Sequence, residues 1–408
     1  MKIKTWDNKY IECDFPAEFS NRNLLALPAL IDPHVHFRVP GGEHKEDWTT
    51  GAAVAGGVTT VLDMPNNMPG ISTFELLKQK KSAVNKLLAQ SCQPIRPYFY
   101  FGATAENLAE IDKVRNEIIG VKMFVGSSTG DLLVSQISAQ EKIFKKCAEL
   151  NLVLAVHAED DEIIRANSQQ FIVNSLQGEA QRSPVIPTAV EGSLSVKHHS
   201  QIRSREAAIK AVTQAAEFAK KYHTKLYVLH ASTAEELELI RSAKQAGVTV
   251  FAEATPHHLF LNDSAYELLG AKAQMNPPLR TAHDQDALWR AINDGTIDTV
   301  GTDHAPHTLA EKALPYPQSP SGVPGIETYL PLLLNEYNQG KITIQKIVEL
   351  TRLNIEKIFN LPPNNDWVIV DLDLEKIVKN KNLKTKCGWS PFDGWKLKGW
   401  PVKIVHSQ

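Results

Sequence analysis

Eight short apolar runs of strand character, separated mostly by helical patterns, predict an α/β chain built on a closed parallel (β/α)8 barrel, the TIM-barrel architecture. The runs are LLALPALID, VTTVLDM, PYFYFGA, IIGVKMFV, LNLVLAVHA, KLYVLHA, VTVFAEA and IDTVGTD. Between them, REAAIKAVTQAAEFAKKY and AEELELIRSAKQAG carry apolar residues at helical spacing. The two ends of the chain look unlike this middle. The start holds short mixed pieces, and the stretch from Leu361 is rich in Lys, Trp and β-branched residues. Leu361-Pro362-Pro363 marks the change, because proline ends helices and favours extended chain. Residues 1–26 and 361–408 are expected to form one small β-sandwich-like domain, and residues 27–360 the barrel.

Composition narrows the function. The 408 residues carry 44 Lys+Arg against 46 Asp+Glu, a formal charge of −2. Such a balance gives no electrostatic reason to hold a polyanion, so nucleic acid is not an expected partner. A chain that is 43% hydrophobic and 22% charged folds into a core rather than staying disordered. Cys13, Cys92, Cys147 and Cys387 lie far apart and form no CxxC, which indicates neither a disulfide framework nor a zinc–thiolate site. The N-terminus has no apolar leader, and no run approaches the roughly 18 apolar residues of a membrane span. A soluble cytoplasmic protein is the expectation.

The strand runs end in chemically strong residues. The first ends in Asp32-Pro33-His34-Val35-His36-Phe37-Arg38, and the second leads into Asn66. The fourth carries Lys122, the fifth ends at His157-Ala158-Glu159, the sixth at His230 and the eighth at Asp303-His304. In a barrel these ends share one face, where active sites are built. His34 and His36, two apart on an extended chain, point to the same side and can hold one metal ion. By itself this pair also fits two satisfied loop histidines. With His157, His230 and Asp303 added, a metal cluster is the better account, and imidazole plus carboxylate without thiolate suits zinc while tolerating manganese or cobalt. Lys122 reads two ways: a buried amine that loses its proton and becomes a carbamate ligand, or a cation paired with Asp303. Spacing alone favours the pairing.

DPHVHFRVPGGEHKEDW, VTTVLDMPN, GVKMF, VHAED, VLHAST, EATPHHLFL, MNPPLR, GTDHAPHTLAEK and GVPGIETYLPLLL follow one another in this order. In this the chain resembles the dihydroorotases of the amidohydrolase superfamily over nearly its whole length. The resemblance implies reversible zinc-dependent hydrolysis of the cyclic amide of (S)-dihydroorotate to N-carbamoyl-L-aspartate, a step of pyrimidine synthesis. It implies that His34, His36 and Asp303 bind one ion, His157 and His230 a second, and that a carboxylated Lys122 bridges two Zn2+. It thereby reverses the bland reading of Lys122, since the chain resembles the lysine-bearing members of the family. Two divalent ions against the carbamate, Asp303 and a hydroxide leave a centre of about +1, which suits an anionic substrate. Asp303 is implied as the group that takes the hydroxide's proton and gives it to the leaving amide nitrogen.

Arg38, Asn66, Asn276 and His307 are the residues expected to hold the substrate carboxylate: Arg38 follows His36 by two residues on an extended chain and so joins the same face, and a guanidinium grips a carboxylate through two parallel hydrogen bonds. Two alternatives are a salt bridge of Arg38 to Glu46 or Asp47, and a helix-capping role for Asn66. Allantoinases and hydantoinases lack the arginine of this HFR pattern, so Arg38 with Asn66 favours dihydroorotase over those cyclic amidases. A third reading, an inactive scaffold for aspartate carbamoyltransferase, is disfavoured because all six metal-site residues are present. Association with that transferase and homodimerisation are the expected partnerships. Among the other histidines, His257 and His258 follow the seventh strand, ended by Glu253, and are placed near the metals without being ligands. His304 is expected to point away from the site, and His198 and His199 to lie on the surface. Val39 stands where most relatives carry an acidic residue, which removes a support for the Arg38 guanidinium. The GSSTGD stretch at 126–131 reads either as a loop that closes on substrate or as a static turn.

Overall fold

The computed structural model describes residues 1–126, 132–180 and 194–406 of the chain. The GSSTGD stretch, apart from Gly126, lies outside these residues. The strands in chain order are β1 (Lys2–Thr5), β2 (Tyr10–Glu12), β3 (Leu24–Pro28), β4 (Leu30–Val35), β5 (Val58–Asp63), β6 (Arg96–Gly102), β7 (Gly120–Phe124), β8 (Val153–His157), β9 (Lys225–Val228), β10 (Val250–Ala254), β11 (Thr299–Val300), β12 (Trp367–Ile377) and β13 (Lys396–Val405).

Strands β4 to β11 stand side by side in sequence order, each pair parallel. A parallel bridge between Val35 and His304 brings the two ends of this sheet together, and His36 N–H donates to His304 O at 2.8 Å. The sheet is thus a nearly closed eight-stranded barrel wrapped by helices. Every residue of β4, β5, β7 and β8 is buried, which is why these strands read as unbroken apolar runs rather than alternating ones. The helix Arg205–Tyr222 turns Ala207, Ala208, Ala211, Val212, Ala215, Phe218 and Ala219 inward, and its alanines let the backbone approach the sheet closely. Thr233 and Glu236 form a reciprocal capping box that starts the helix Ala234–Gln245.

The run LLALPALID is two strands, not one. Leu24–Pro28 pairs antiparallel with Trp367–Asp371, while Leu30–Val35 enters the barrel. The break falls at Ala29, whose N–H donates to Asp366 O. The terminal segments build a separate five-stranded sheet in the order β13-β12-β3-β1-β2. Along β12, Val368, Val370 and Leu372 join the barrel's core, whereas Ile369 faces the other way and packs with Ile3 and Ala26. Contact is close where the sheet meets the barrel: a Cβ on Gly57, at φ +85°, would come within 3.2 Å of Val368 Cγ2. The C-terminal segment then crosses to the barrel's upper rim, where Trp389 Nε1 donates to His307 O at 2.7 Å and Lys386 N–H to Asp47 Oδ1 at 3.0 Å.

This division of faces predicts unequal costs. Leu27→Ala opens a hole in the barrel core under β3 and is expected to lower the unfolding free energy by about 2–5 kcal/mol in urea titrations. Tyr10→Ala, at an exposed position on β2, is expected to change it by less than about 0.5 kcal/mol.

Candidate functional site

The carboxyl ends of the barrel strands surround a cavity. His34, His36, Arg38, Asn66, Lys122, His157, His230, Asn276 and Asp303 all line it, joined by Phe124, Ala305, Ser321 and Gly322, which the sequence did not single out. His307 lies behind Arg38, its Nε2 3.1 Å from Arg38 Nη2.

His34 and His36 leave β4 on a support built from buried carboxylates. Asp32 accepts the N–H of His34 at 3.2 Å and that of Thr302 at 3.0 Å, stitching β4 to the chain beyond β11. Burial pushes the Asp32 carboxyl up to about 6 despite those hydrogen bonds. His34 Nδ1 meets Glu253 Oε1 at 2.8 Å, and His36 Nδ1 meets Asn66 Oδ1 at 2.6 Å. Both partners are oxygens that accept, which suits the tautomer with its proton on Nδ1 and leaves Nε2 of each ring for a cation placed between the rings and Asp303. The two Nε2 atoms lie 3.1 and 3.0 Å from Asp303 Oδ1. These three residues form a group whose ligand atoms lie within 4.8 Å of one another, all buried. Two neutral imidazoles and a carboxylate turned toward one point are a donor set that fits a divalent cation. Burial holds His36 down to about 3, so the ring is uncharged.

On the opposite wall, His157 Nδ1 and His230 Nε2 are 3.0 Å apart. His157 Nε2 faces Glu159 Oε2 at 2.9 Å, and the same oxygen accepts from Arg203 Nε at 3.0 Å. That contact fixes the His157 proton on Nε2 and leaves Nδ1 as a lone pair. Burial lowers both rings' affinity for a proton, so this pair is also neutral. Lys122 Nζ opens into the same cavity, 4.5 Å from the centre of the Phe124 ring. Burial pulls its ammonium down to about 7, and Asp303 and Glu253 offset only part of that. No salt bridge between Lys122 and Asp303 is found among the described residues.

Arg38 departs from the extended course read from the sequence: its φ is +67°, in the left-handed region. It reaches the cavity nonetheless. Glu46 pairs with Lys386, and Asp47 with His304, so neither serves Arg38. Asn66 caps no helix and instead holds His36. Arg38 Nε is buried without a hydrogen-bond partner among the described residues, and the neighbouring Val39 is buried in the core. His304 turns from the site to Asp47 at 2.8 Å, as expected.

One further expectation needs correction. His199 is buried rather than on the surface, with Nε2 2.9 Å from Met275 O and 3.0 Å from Asn276 Oδ1; His198 is half-buried. Of the three residues around the seventh strand, Glu253 is the one that touches a metal-facing ring. His258 is held by Thr255 Oγ1 at 2.8 Å and Pro277 O at 3.1 Å, and His257 Nε2 is buried without a partner among the described residues. Glu159, Arg203 and Asp32 also belong to the site's support, a role their positions in the sequence did not reveal.

Glu253→Gln, which removes the anion behind His34 while keeping its shape, is expected to weaken metal binding about 10–100-fold. Chelator competition checks this, with circular dichroism unchanged.

The comparisons with known proteins agree with this geometry. The amidohydrolase family model matches residues 25–366. The multifunctional protein CAD of Squalus acanthias is 35% identical over 390 residues, covering 95% of this chain, which spans only 15% of that protein's length. The dihydroorotase of Methanosphaera stadtmanae is 34% identical over 395 residues, with 94% of this chain and 84% of that protein covered. Among solved structures, the L-hydantoinase of Arthrobacter aurescens superposes with a TM-score of 0.83 at 25% identity, over 96% of this chain and 87% of that one. The chain belongs to the amidohydrolase family and, within it, to the dihydroorotase family.

Proposed function

We propose that this chain catalyses the reversible hydrolysis of the ring amide of dihydroorotate to N-carbamoyl-L-aspartate, a step of pyrimidine synthesis. The observation that carries the reading is Arg38, a buried guanidinium in the same cavity as a converging imidazole–carboxylate donor set. A hydantoin or allantoin ring has no carboxylate to meet that cation.

In this reading His34, His36 and Asp303 hold one divalent ion, and His157 Nδ1 and His230 Nε2 a second, zinc being the metal that suits imidazole and carboxylate. Such ions, when bound, supply Lewis acidity toward the ring carbonyl and a nucleophilic water at neutral pH. Lys122 joins them as a carbamate. Its neutral amine attacks carbon dioxide, an N–C bond forms, and one proton leaves to solvent. An ammonium near 7 is about half neutral at pH 7, whereas an ordinary lysine near 10.4 is almost entirely protonated.

Arg38 binds the substrate carboxylate, with Asn66, Asn276 and His307 around it. Burial and the Arg38 charge hold His307 down to about 3, so it adds no second cation. Asp303, ionised and facing the cavity, takes the proton of the attacking water and returns it to the ring nitrogen as the C–N bond breaks. Closure runs the same proton backward. The expected surroundings are a homodimer, an association with aspartate carbamoyltransferase, and the cytoplasm. Among the described residues no helix is long and apolar enough to cross a membrane.

Parallel assays with dihydroorotate, hydantoin and allantoin test the reading, and turnover of allantoin without dihydroorotate overturns it. Arg38→Met is expected to raise KM for dihydroorotate at least tenfold with bound metal unchanged, since a charged hydrogen bond is worth about 1.5–3 kcal/mol. Lys122→Ala is expected to lose both metal stoichiometry and activity, and bicarbonate is expected to speed activation of wild-type apoprotein but not of that variant. Hydrolysis releases one proton, so the equilibrium ratio of open to closed form is expected to rise about tenfold per pH unit near neutrality.

A further inference from the structure

The segment at 195–204 lies far in sequence from every residue so far given a substrate role, yet it reaches the cavity wall through one buried ring. His199 Nε2 sits 2.9 Å from Met275 O and 3.0 Å from Asn276 Oδ1. A backbone carbonyl has no proton to give, so Nε2 must be the N–H donor. The atom of Asn276 facing that donor is then its carbonyl oxygen, because an NH2 there would set donor against donor. The amide has only two ends. With Oδ1 held by His199, Nδ2 is directed elsewhere, and no protein partner for Nδ2 is found among the described residues, although Asn276 lines the cavity. On the far side of the ring, His199 Nδ1 is 3.2 Å from Tyr316 Oη. A neutral imidazole with its proton on Nε2 accepts there from the phenol. Burial holds His199 down to about 4, consistent with that neutral form, and a doubly protonated ring could not accept from Tyr316.

We propose that His199 is a positioning residue: seated on Tyr316, it fixes the Asn276 amide so that its NH2 is presented to the cavity as a donor for the substrate's carboxylate. The inference rests on the proposed substrate and deepens it. Without His199 the amide can rotate, and half of its orientations offer the carboxylate an oxygen instead of a donor. The effect belongs to binding of the anionic group, not to the bond-breaking step.

The test is steady-state kinetics with dihydroorotate on the metal-loaded protein. His199→Phe keeps an aromatic ring against Tyr266 and Tyr316 and removes the donor. KM is expected to rise about tenfold, with kcat changed less than threefold and metal content unchanged. His199→Gln, which retains an N–H donor, is expected to bring KM back to within about threefold of wild type. In an Asn276→Ala background, His199→Phe is expected to add less than twofold, since its route of action is already gone. If His199→Phe does not fold, Tyr316→Phe tests the same chain, with an expected threefold rise in KM. Unchanged KM in a folded His199→Phe or Tyr316→Phe protein overturns the inference, as does a full additional penalty in the Asn276→Ala background. Failure of the wild-type protein to turn over dihydroorotate overturns the substrate reading first and the inference with it, whereas wild-type turnover with an indifferent His199 overturns the inference alone.

Discussion

The centre of the barrel is organised by one buried carboxylate, Glu253. It has no exposed surface and no lysine or arginine partner among the described residues. Instead it gathers neutral donors from across the barrel: His34 Nδ1–H at 2.8 Å, the backbone N–H of His230 at 3.2 Å and Tyr227 O–H at 2.9 Å. A buried anion is costly unless its lone pairs are filled, so each donor is under pressure to stay in place. The same pressure explains Gly301, where a Cβ would stand 2.4 Å from Glu253 Oε2. One side chain on β10 thereby sets the ring orientation on β4 and the backbone course after β9, on the two walls that carry the cavity's imidazoles.

That bracing also accounts for backbone strain at the site. Arg38, His230 and Asp303 have φ of +67°, +37° and +46°, a region that costs non-glycine residues about 1–3 kcal/mol each. Each is held by its neighbours. Phe37 N–H donates to Asp63 Oδ1 at 2.8 Å just before Arg38, and Lys80 Nζ, 2.6 Å from Asp63 Oδ2, offsets part of what burial costs that carboxylate. Ala231 N–H donates to Glu253 O at 2.9 Å just after His230. His304, next to Asp303, is clamped between Asp47 and the N–H of Gly325 at 3.1 Å. The three side chains point into the cavity because their backbones turn there, and the turns persist because the flanking residues are fixed.

Much of this was legible in the sequence, for a physical reason. Parallel strands buried on both faces leave unbroken apolar runs, and a barrel puts the polar residue after each run on one rim, so the line-up of His34, His36, Lys122, His157, His230 and Asp303 could be read directly. What could not be read depended on long-range partners. Glu253 stood out as a strand-end acid, but its role is set by His34, 219 residues away. His199 looked like one of a surface pair because its segment has no clear periodicity, and only the fold brings Met275 and Asn276 to it. Arg38 was placed in the cavity by an extended-chain argument that the left-handed turn makes invalid, although the cavity is where it lies. The run Leu24–Asp32 hid a change of sheet at Ala29, since both halves are equally apolar.

In the proposed reading, Arg38 is also the source of the site's selectivity, on electrostatic grounds. Burial pulls the guanidinium down only to about 10, so it stays charged at neutral pH, and Asp303, Asp63 and Glu311 offset the cost only in part. No carboxylate lies within ion-pair distance of it among the described residues. Its hydrogen-bonding neighbour is His307, an uncharged ring, and its Nε has no partner among the described residues. The next residue is the apolar Val39, which can give nothing back. An unpaired buried cation destabilises the folded protein, and a ligand that brings a carboxylate relieves it while a neutral ring of the same size does not. The free protein's deficit thus becomes part of the binding preference, and the discrimination against uncharged cyclic amides grows as the native support of Arg38 weakens.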